Sequence, residues 1–316
     1  MEASRTARSE EDEYSKREGL RRSAMGTVQS TSIWLSDRKQ QMRNPFCRRR
    51  GGVPSREQSF KATGIISLRE QKLTALPKEA LNAASNARVL DVAFNRLVAS
   101  SVQLASFTSL TRLVLSDNKL KELPPSIAKL EKLKVLFLDR NALYSLDDSI
   151  FASLTSLEHL DVSLNPYLTH LLNGSTLVRL TRLKELHASG CQLTALPNDG
   201  ADFSPLAHSL ELLDASENRI QAIPESFSKL HWLHKLNLDG NNVGSVPPAV
   251  FKECKSLAML SLKRNPKITR QRLEQMEGYQ AFVERMKAAK DKHVWTGALI
   301  DERTLDEGFD PELRSR

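Results

Sequence analysis

Nine times between Thr63 and Asn265 the chain repeats one pattern: an apolar residue, two others, an apolar, one other, an apolar, two others, an Asn, one other, an apolar. The clearest copies run LTRLVLSDNKLKELP from Leu110 and LKVLFLDRNALYSL from Leu133. Aligned on the Asn position, the copies fall at Gln71, Asn95, Asn118, Asn141, Asn165, Cys191, Asn218, Asn241 and Asn265, with spacings of 24, 23, 23, 24, 26, 27, 23 and 24. One such unit is too short to bury its own apolar face. A chain built this way must stack its copies into a shared core.

The apolar positions ahead of the Asn alternate, as in Leu113 and Leu115, Leu136 and Leu138, Leu236 and Leu238. Alternation over so short a stretch predicts a strand with one buried face. The Asn then stands where the chain leaves the strand, where its amide can satisfy backbone groups that have no ladder partner. Five copies continue into Leu76-Pro77, Leu123-Pro124, Leu196-Pro197, Ile223-Pro224 or Val246-Pro247. Proline removes a donor and fixes φ, so the return arm is expected to be a turn or short helix, not a second long strand.

This pattern and period resemble the leucine-rich repeat. The resemblance implies an α/β solenoid of about nine repeats, with a curved parallel sheet on the concave face and turns and short helices on the convex face. The expected division is a disordered basic segment over 1–60, the array over 61–270, a capping helix over 271–290 and a tail over 291–316. Leu273, Met276, Phe282, Val283 and Met286 recur near helical spacing and suit a cap over the last repeat.

Three cysteines, Cys47, Cys191 and Cys254, lack paired spacing and give no disulfide-braced cap. No apolar stretch reaches ~18 residues and the first thirty residues are polar, so neither a membrane-spanning helix nor a secretory leader is expected. The expected compartment is the cytoplasm, where the Asn173-Gly174-Ser175 sequon is without meaning. The net charge of +8 is uneven. Residues 1–61 hold 14 basic and 8 acidic side chains, 62–270 hold 24 and 20, and 271–316 hold 8 and 10. Arg21-Arg22 and Arg48-Arg49-Arg50 could meet anionic lipid or nucleic acid, but no interleaved aromatics favour a nucleic-acid partner.

Met25-Gly26-Thr27-Val28-Gln29-Ser30 fits the N-myristoylation pattern. Gly26 is a lipidation site only if translation starts at Met25. The basic cluster from Arg38 to Arg50 would then be the second signal that one acyl chain needs, giving peripheral membrane attachment.

Side chains between the buried apolar ones face outward on the concave sheet. The middle file is expected to run Ser67, Asp91, Val114, Phe137, Asp161, His187, Asp214, Asn237, Ser261. The next file runs Arg69, Ala93, Ser116, Asp139, Ser163, Ser189, Ser216, Asp239, Lys263. The interior of this surface is acidic and its ends basic. His187 falls between Asp161 and Asp214, with His159 close by, and flanking carboxylates favour the imidazolium. The expected protein-binding residues are therefore Asp91, Phe94, Phe137, Asp139, His159, Asp161, His187, Asp214, Asn237 and Asp239. Phe137 is the expected hot spot, a large ring on a polar face. A metal site is disfavoured, because a flat sheet converges poorly on a tetrahedron.

Lys134-Val135-Leu136-Phe137 spells a short docking motif for a protein phosphatase catalytic subunit, yet Leu136 is a buried strand position. There is no glycine-rich phosphate loop, G-x-S-x-G, H-E-x-x-H or zinc cysteine pair, so no enzyme and no cofactor are expected. Asp199-Gly200-Ala201-Asp202 lacks the remaining ligands of a calcium loop.

Gln271 to Tyr279, Glu284-Arg285 and Lys287–Lys292 resemble the terminal helix of the leucine-rich repeat-containing protein 57 family. Lys61 to Leu68 is similar to that family's first repeat, and Leu305-Asp306-Glu307-Gly308 to the tail of its plant relatives. The Leu-Pro repeats also look like those of plant intracellular Ras-group proteins. The resemblance implies a small intracellular protein without known catalysis, often beginning Met-Gly. The expected function is a monomeric protein-interaction scaffold in signal transduction with an unidentified protein partner. The alternative is a regulatory subunit in a phosphatase or small-GTPase pathway.

Overall fold

The computed structural model describes residues 55–295. Gly26, the Arg38–Arg50 cluster, Cys47 and residues 296–316 lie outside the described residues. Nine three-residue strands follow one another: β1 Ile65–Ser67, β2 Val89–Asp91, β3 Arg112–Val114, β4 Val135–Phe137, β5 His159–Asp161, β6 Glu185–His187, β7 Leu212–Asp214, β8 Lys235–Asn237 and β9 Met259–Ser261. They form one parallel sheet in strict sequence order. The central residues pair as one row, Ile66, Leu90, Leu113, Leu136, Leu160, Leu186, Leu213, Leu236 and Leu260. From Ile66 to Leu236 no member of this row is more than 2% exposed. The row is the inner wall of a core that runs the length of the array.

The Asn position closes each turn by the same three-way bond. Asn141 Nδ2 donates to Leu138 O at 2.9 Å within its own repeat and to Leu115 O at 3.0 Å in the repeat before, while its Oδ1 accepts from Leu120 N at 3.1 Å. Asn95, Asn118, Asn165, Asn218, Asn241 and Asn265 do the same. Their side chains are therefore buried yet satisfied. Cys191 keeps half of this role: its thiol donates to Val162 O at 3.4 Å, but it has no amide oxygen to offer the neighbouring turn.

On the convex side, Pro77, Pro124, Pro224 and Pro247 each precede a helical segment: α2 Lys78–Asn82, the 3-10 turns Pro125–Lys129 and Glu225–Lys229, and α5 Pro248–Glu253. Short helices α3 Asp148–Phe151 and α4 Gly174–Leu177 serve the repeats between. Phe151, Phe227 and Phe251, which belong to these segments, are fully buried, as are Phe107 and Phe203.

Helix α1, Arg56–Thr63, begins the described chain, and five of its residues fall in the segment expected to be disordered. Ser55 and Gln58 form a reciprocal capping box, and Phe60, 7% exposed, joins the core. The helix stops at Gly64, whose φ of 68° is left-handed; a Cβ there would meet Asn86 O at 2.9 Å. At the other end, the single helix expected over 271–290 is two, α6 Arg270–Glu274 and α7 Tyr279–Trp295, separated by Gly278 at φ 85°. Leu273 and Phe282 are buried, and Met276, Val283 and Met286 pack against the core beside them. The Phe282 ring lies 5.5 Å from that of Phe251.

Candidate functional site: the concave sheet face

The strand register fixes the middle file. Ser67, Asp91, Val114, Phe137, Asp161, His187, Asp214, Asn237 and Ser261 pair Cα to Cα from β1 to β9. The file is not uniformly open. Val114 is 2% exposed, and Ala93 in the next file is fully covered. Phe137 is half-buried, and the Arg112 guanidinium sits 5.0 Å from its ring centre.

A second row of surface positions is invisible to the strand pattern. The residue before each Asn position has a left-handed backbone: Glu70, Phe94, Asp117, Arg140, Leu164, Gly190, Glu217, Gly240 and Arg264, with φ between 53° and 64°. Only two of the nine are glycine, so the remaining seven adopt a costly conformation that the ladder on either side enforces. Phe94 belongs to this row. It is 40% exposed, with Arg69 4.9 Å from its ring centre.

The expected binding residues separate into groups. Asp91 pairs with Arg69 at 2.9 Å, and with Phe94 makes a patch on β1 and β2. Asp139 is held by Arg140 at 2.8 Å and by the Ser116 hydroxyl. Asp239 accepts from Lys263 N and Ser261 Oγ, both at 2.7 Å. The densest group lies on β5 to β8. Glu185 Oε2 is 3.2 Å from His159 Nδ1 and 3.5 Å from His187 Nε2. Asp214 accepts from Ser216 Oγ at 2.7 Å and Asn237 Nδ2 at 3.1 Å. Asp161 accepts from Ser163 N at 2.9 Å.

Glu185 was not among the expected residues, yet it is the hinge of the group. It occupies the first position of β6, in register with His159 on β5. Hydrogen bonds from His159, then His187, depress its carboxyl to about 2. For His187, burial opposes the charged ring. Glu185, Asp161 and Asp214 together outweigh that, and its pKa is raised. Asp161 goes the other way from most carboxylates. Burial first and repulsion from Asp139 second push it up to about 6, against the pull of His187 and Ser163. Among the described residues, no group of three or more His, Cys, Asp or Glu could hold a metal ion.

The fold is a leucine-rich repeat solenoid. Residues 131–193 match the family model described as Leucine rich repeat, and residues 109–130 and 209–230 match that described as Leucine Rich Repeat. Podocan-like protein 1 of Mus musculus is 30% identical over 191 residues, covering 58% of this chain and 33% of its own. Protein flightless-1 homolog of Caenorhabditis elegans is 30% identical over 224 residues, covering 56% and 18%. Plant intracellular Ras-group-related LRR protein 8 of Oryza sativa subsp. japonica is 35% identical over 111 residues, covering 34% and 29%. The chain thus spans about a third or less of these relatives' length. Among solved structures, the LRR ectodomain of the plant membrane receptor kinase GASSHO1/SCHENGEN3 from Arabidopsis thaliana, in complex with CASPARIAN STRIP INTEGRITY FACTOR 2, superposes with a TM-score of 0.50 at 25% identity. That match covers 67% of this chain and 28% of the other. Leucine-rich repeat proteins generally mediate protein–protein interaction. No described helix is long and apolar enough to cross a membrane.

Proposed function

We propose that this chain is a non-catalytic scaffold that binds a protein partner on the concave face of its sheet, in intracellular signal transduction. One observation carries the reading. Phe137, Asp161, His187 and Asp214 stand side by side in a single register-locked file, so a partner meets them as one preformed surface. The likeness to an ectodomain solved in complex supports use of such an array for recognition. The likeness of the chain's two ends to the leucine-rich repeat-containing protein 57 family supports the intracellular setting.

A second reading makes the chain a regulatory subunit in a small-GTPase pathway, favoured by its similarity to a plant Ras-group-related protein. The phosphatase form of that reading loses its motif. Leu136 is fully buried in β4, so Lys134–Phe137 cannot leave the sheet as a docking peptide.

The test is co-purification from native extract, comparing wild type with a combined Phe137→Ala, Asp161→Lys, His187→Ala variant. Partners lost from the variant, with its unfolding still cooperative and its fold intact at the assay temperature, place recognition on the concave face. A partner set that survives all three substitutions moves it to the convex arms or the ends.

A further inference from the structure

The outward positions of β5, β6 and β7 are His159, Asp161, Glu185, His187, Leu212 and Asp214. They comprise three carboxylates and two imidazoles, with no Lys or Arg, in a chain whose net charge is +8. Asp161 and Asp214 flank His187, each one strand away, about 4.8 Å in the pairing direction. Asp139 adds a further carboxylate beside Asp161 and is paired with Arg140 of the left-handed row at 2.8 Å. Phe137 borders this stretch on β4; the Arg112 guanidinium already lies 5.0 Å from its ring centre, and the half-buried ring can also meet the hydrocarbon stem of a long basic side chain.

We propose that this stretch of the concave face, from Phe137 to Asp214, receives a Lys- or Arg-bearing segment of a protein partner and releases it on mild acidification, with His187 as the gating group. The proposal rests on the concave-face reading above and names the chemistry of its occupant. Charge complementarity selects the occupant: like charges are crowded here, and a cation from outside relieves them.

The gate follows from what surrounds His187. Glu185 faces it from its own strand, His159 and Asp161 from β5, and Asp214 from β7. Glu158, at the entry to β5, faces His159 and is itself held by Lys134 at 2.7 Å and Lys184 at 3.6 Å. Protonating His187 puts a positive charge in the middle of the file. Asp161, pushed up to about 6, loses its negative charge as pH falls through that value. Both changes oppose a bound cation.

The experiment uses the full chain and a fluorescein-labelled oligolysine peptide, with oligoglutamate of equal length as control, followed by anisotropy at constant ionic strength. Oligolysine is expected to bind and oligoglutamate to fail. Affinity should drop roughly tenfold between about pH 7.5 and about pH 5.5. The isosteric Asp161→Asn and Asp214→Asn pair should weaken binding at the higher pH, with cooperative thermal melts and no loss of stability. His187→Gln should show a shallower pH dependence. Absence of oligolysine binding, or binding indifferent to the paired Asn variant, overturns the assigned occupant; a flat pH profile in wild type overturns the gate. If the triple variant loses its partners while oligolysine does not bind, the concave-face reading stands and this inference alone fails.

Discussion

The Arg112 guanidinium lies over the Phe137 ring, 5.0 Å from its centre. The ring that sequence reasoning left without a partner therefore has one within the sheet. A cation over a partly exposed ring contributes about 0.5–1 kcal/mol, so Phe137→Ala should cost about 1 kcal/mol of stability in urea titrations. Its cost to partner binding should be larger, about 2 kcal/mol or more, if it is a hot spot. Equal losses in both measurements would make Phe137 a structural residue and not a recognition one.

Removing one rung of the amide ladder should be severe. Asn141→Ala strips two well-made bonds to buried carbonyls and the acceptor for Leu120 N. Buried groups left unpaired cost about 1–3 kcal/mol each, so the expected loss is about 3 kcal/mol after partial relaxation. The complementary change, Cys191→Asn, restores the missing acceptor and should raise the denaturation midpoint. A lowered midpoint would mean that the widened repeat around Cys191 no longer fits an amide.

Asp161 should make the array less stable as pH rises, contrary to the usual carboxylate. Its folded pKa of about 6 exceeds the ordinary 3.8, so the folded state holds the extra proton between those values. Stability due to this group is full below about pH 4 and falls through pH 6. Asp161→Asn should therefore stabilise the protein at pH 7.5 by about 1–3 kcal/mol, with the gain vanishing below about pH 4. Glu185 works in the opposite sense: its folded value of about 2 lies under the ordinary 4.5. Its contribution is present above about pH 4.5 and is lost as pH falls toward 2. Melting curves of Asp161→Asn and Glu185→Gln across pH should diverge in these two windows.

The two buried thiols should be inert. Burial pushes Cys191 up to about 11 and Cys254 up to about 12, so neither forms thiolate near neutrality. Peptide mapping after alkylation should show both modified only in denaturant. Rapid native labelling of either would reveal local opening at its repeat.

Phe282 should hold the C-terminal end closed. At 4% exposure against Phe251, its replacement by Ala should cost about 3–5 kcal/mol, seen as loss of cooperativity in thermal unfolding. An unchanged melt would show that the last repeat needs no cover.

The repeat wrote most of the architecture into the sequence. Alternation at Leu113 and Leu115, and the recurrence of Asn, place the strands, the buried row and the middle file, including the adjacency of Asp161, His187 and Asp214. What escaped depends on more than period. Glu185 stands at the first strand position, outward by the same alternation as His187, in a file that the expected residues included only at His159. The left-handed row carries glycine only at Gly190 and Gly240, so the usual residue signal is missing at Phe94 and its equivalents. The Ser55-x-x-Gln58 spacing is that of the capping box that starts helix α1, but it lies inside the basic stretch whose composition reads as disordered. At the far end, helical spacing runs on through Gly278 while the backbone turns there.

The strict strand order has a consequence for how the chain acquires its structure. Every strand finds its partner in the next repeat, 23 to 27 residues along, and none waits for a distant segment. Loop-closure entropy is therefore the same small toll at each step, and ordering can begin at any pair and spread both ways. During synthesis, the partner for each strand emerges one repeat later, so the sheet can grow at the pace of the ribosome.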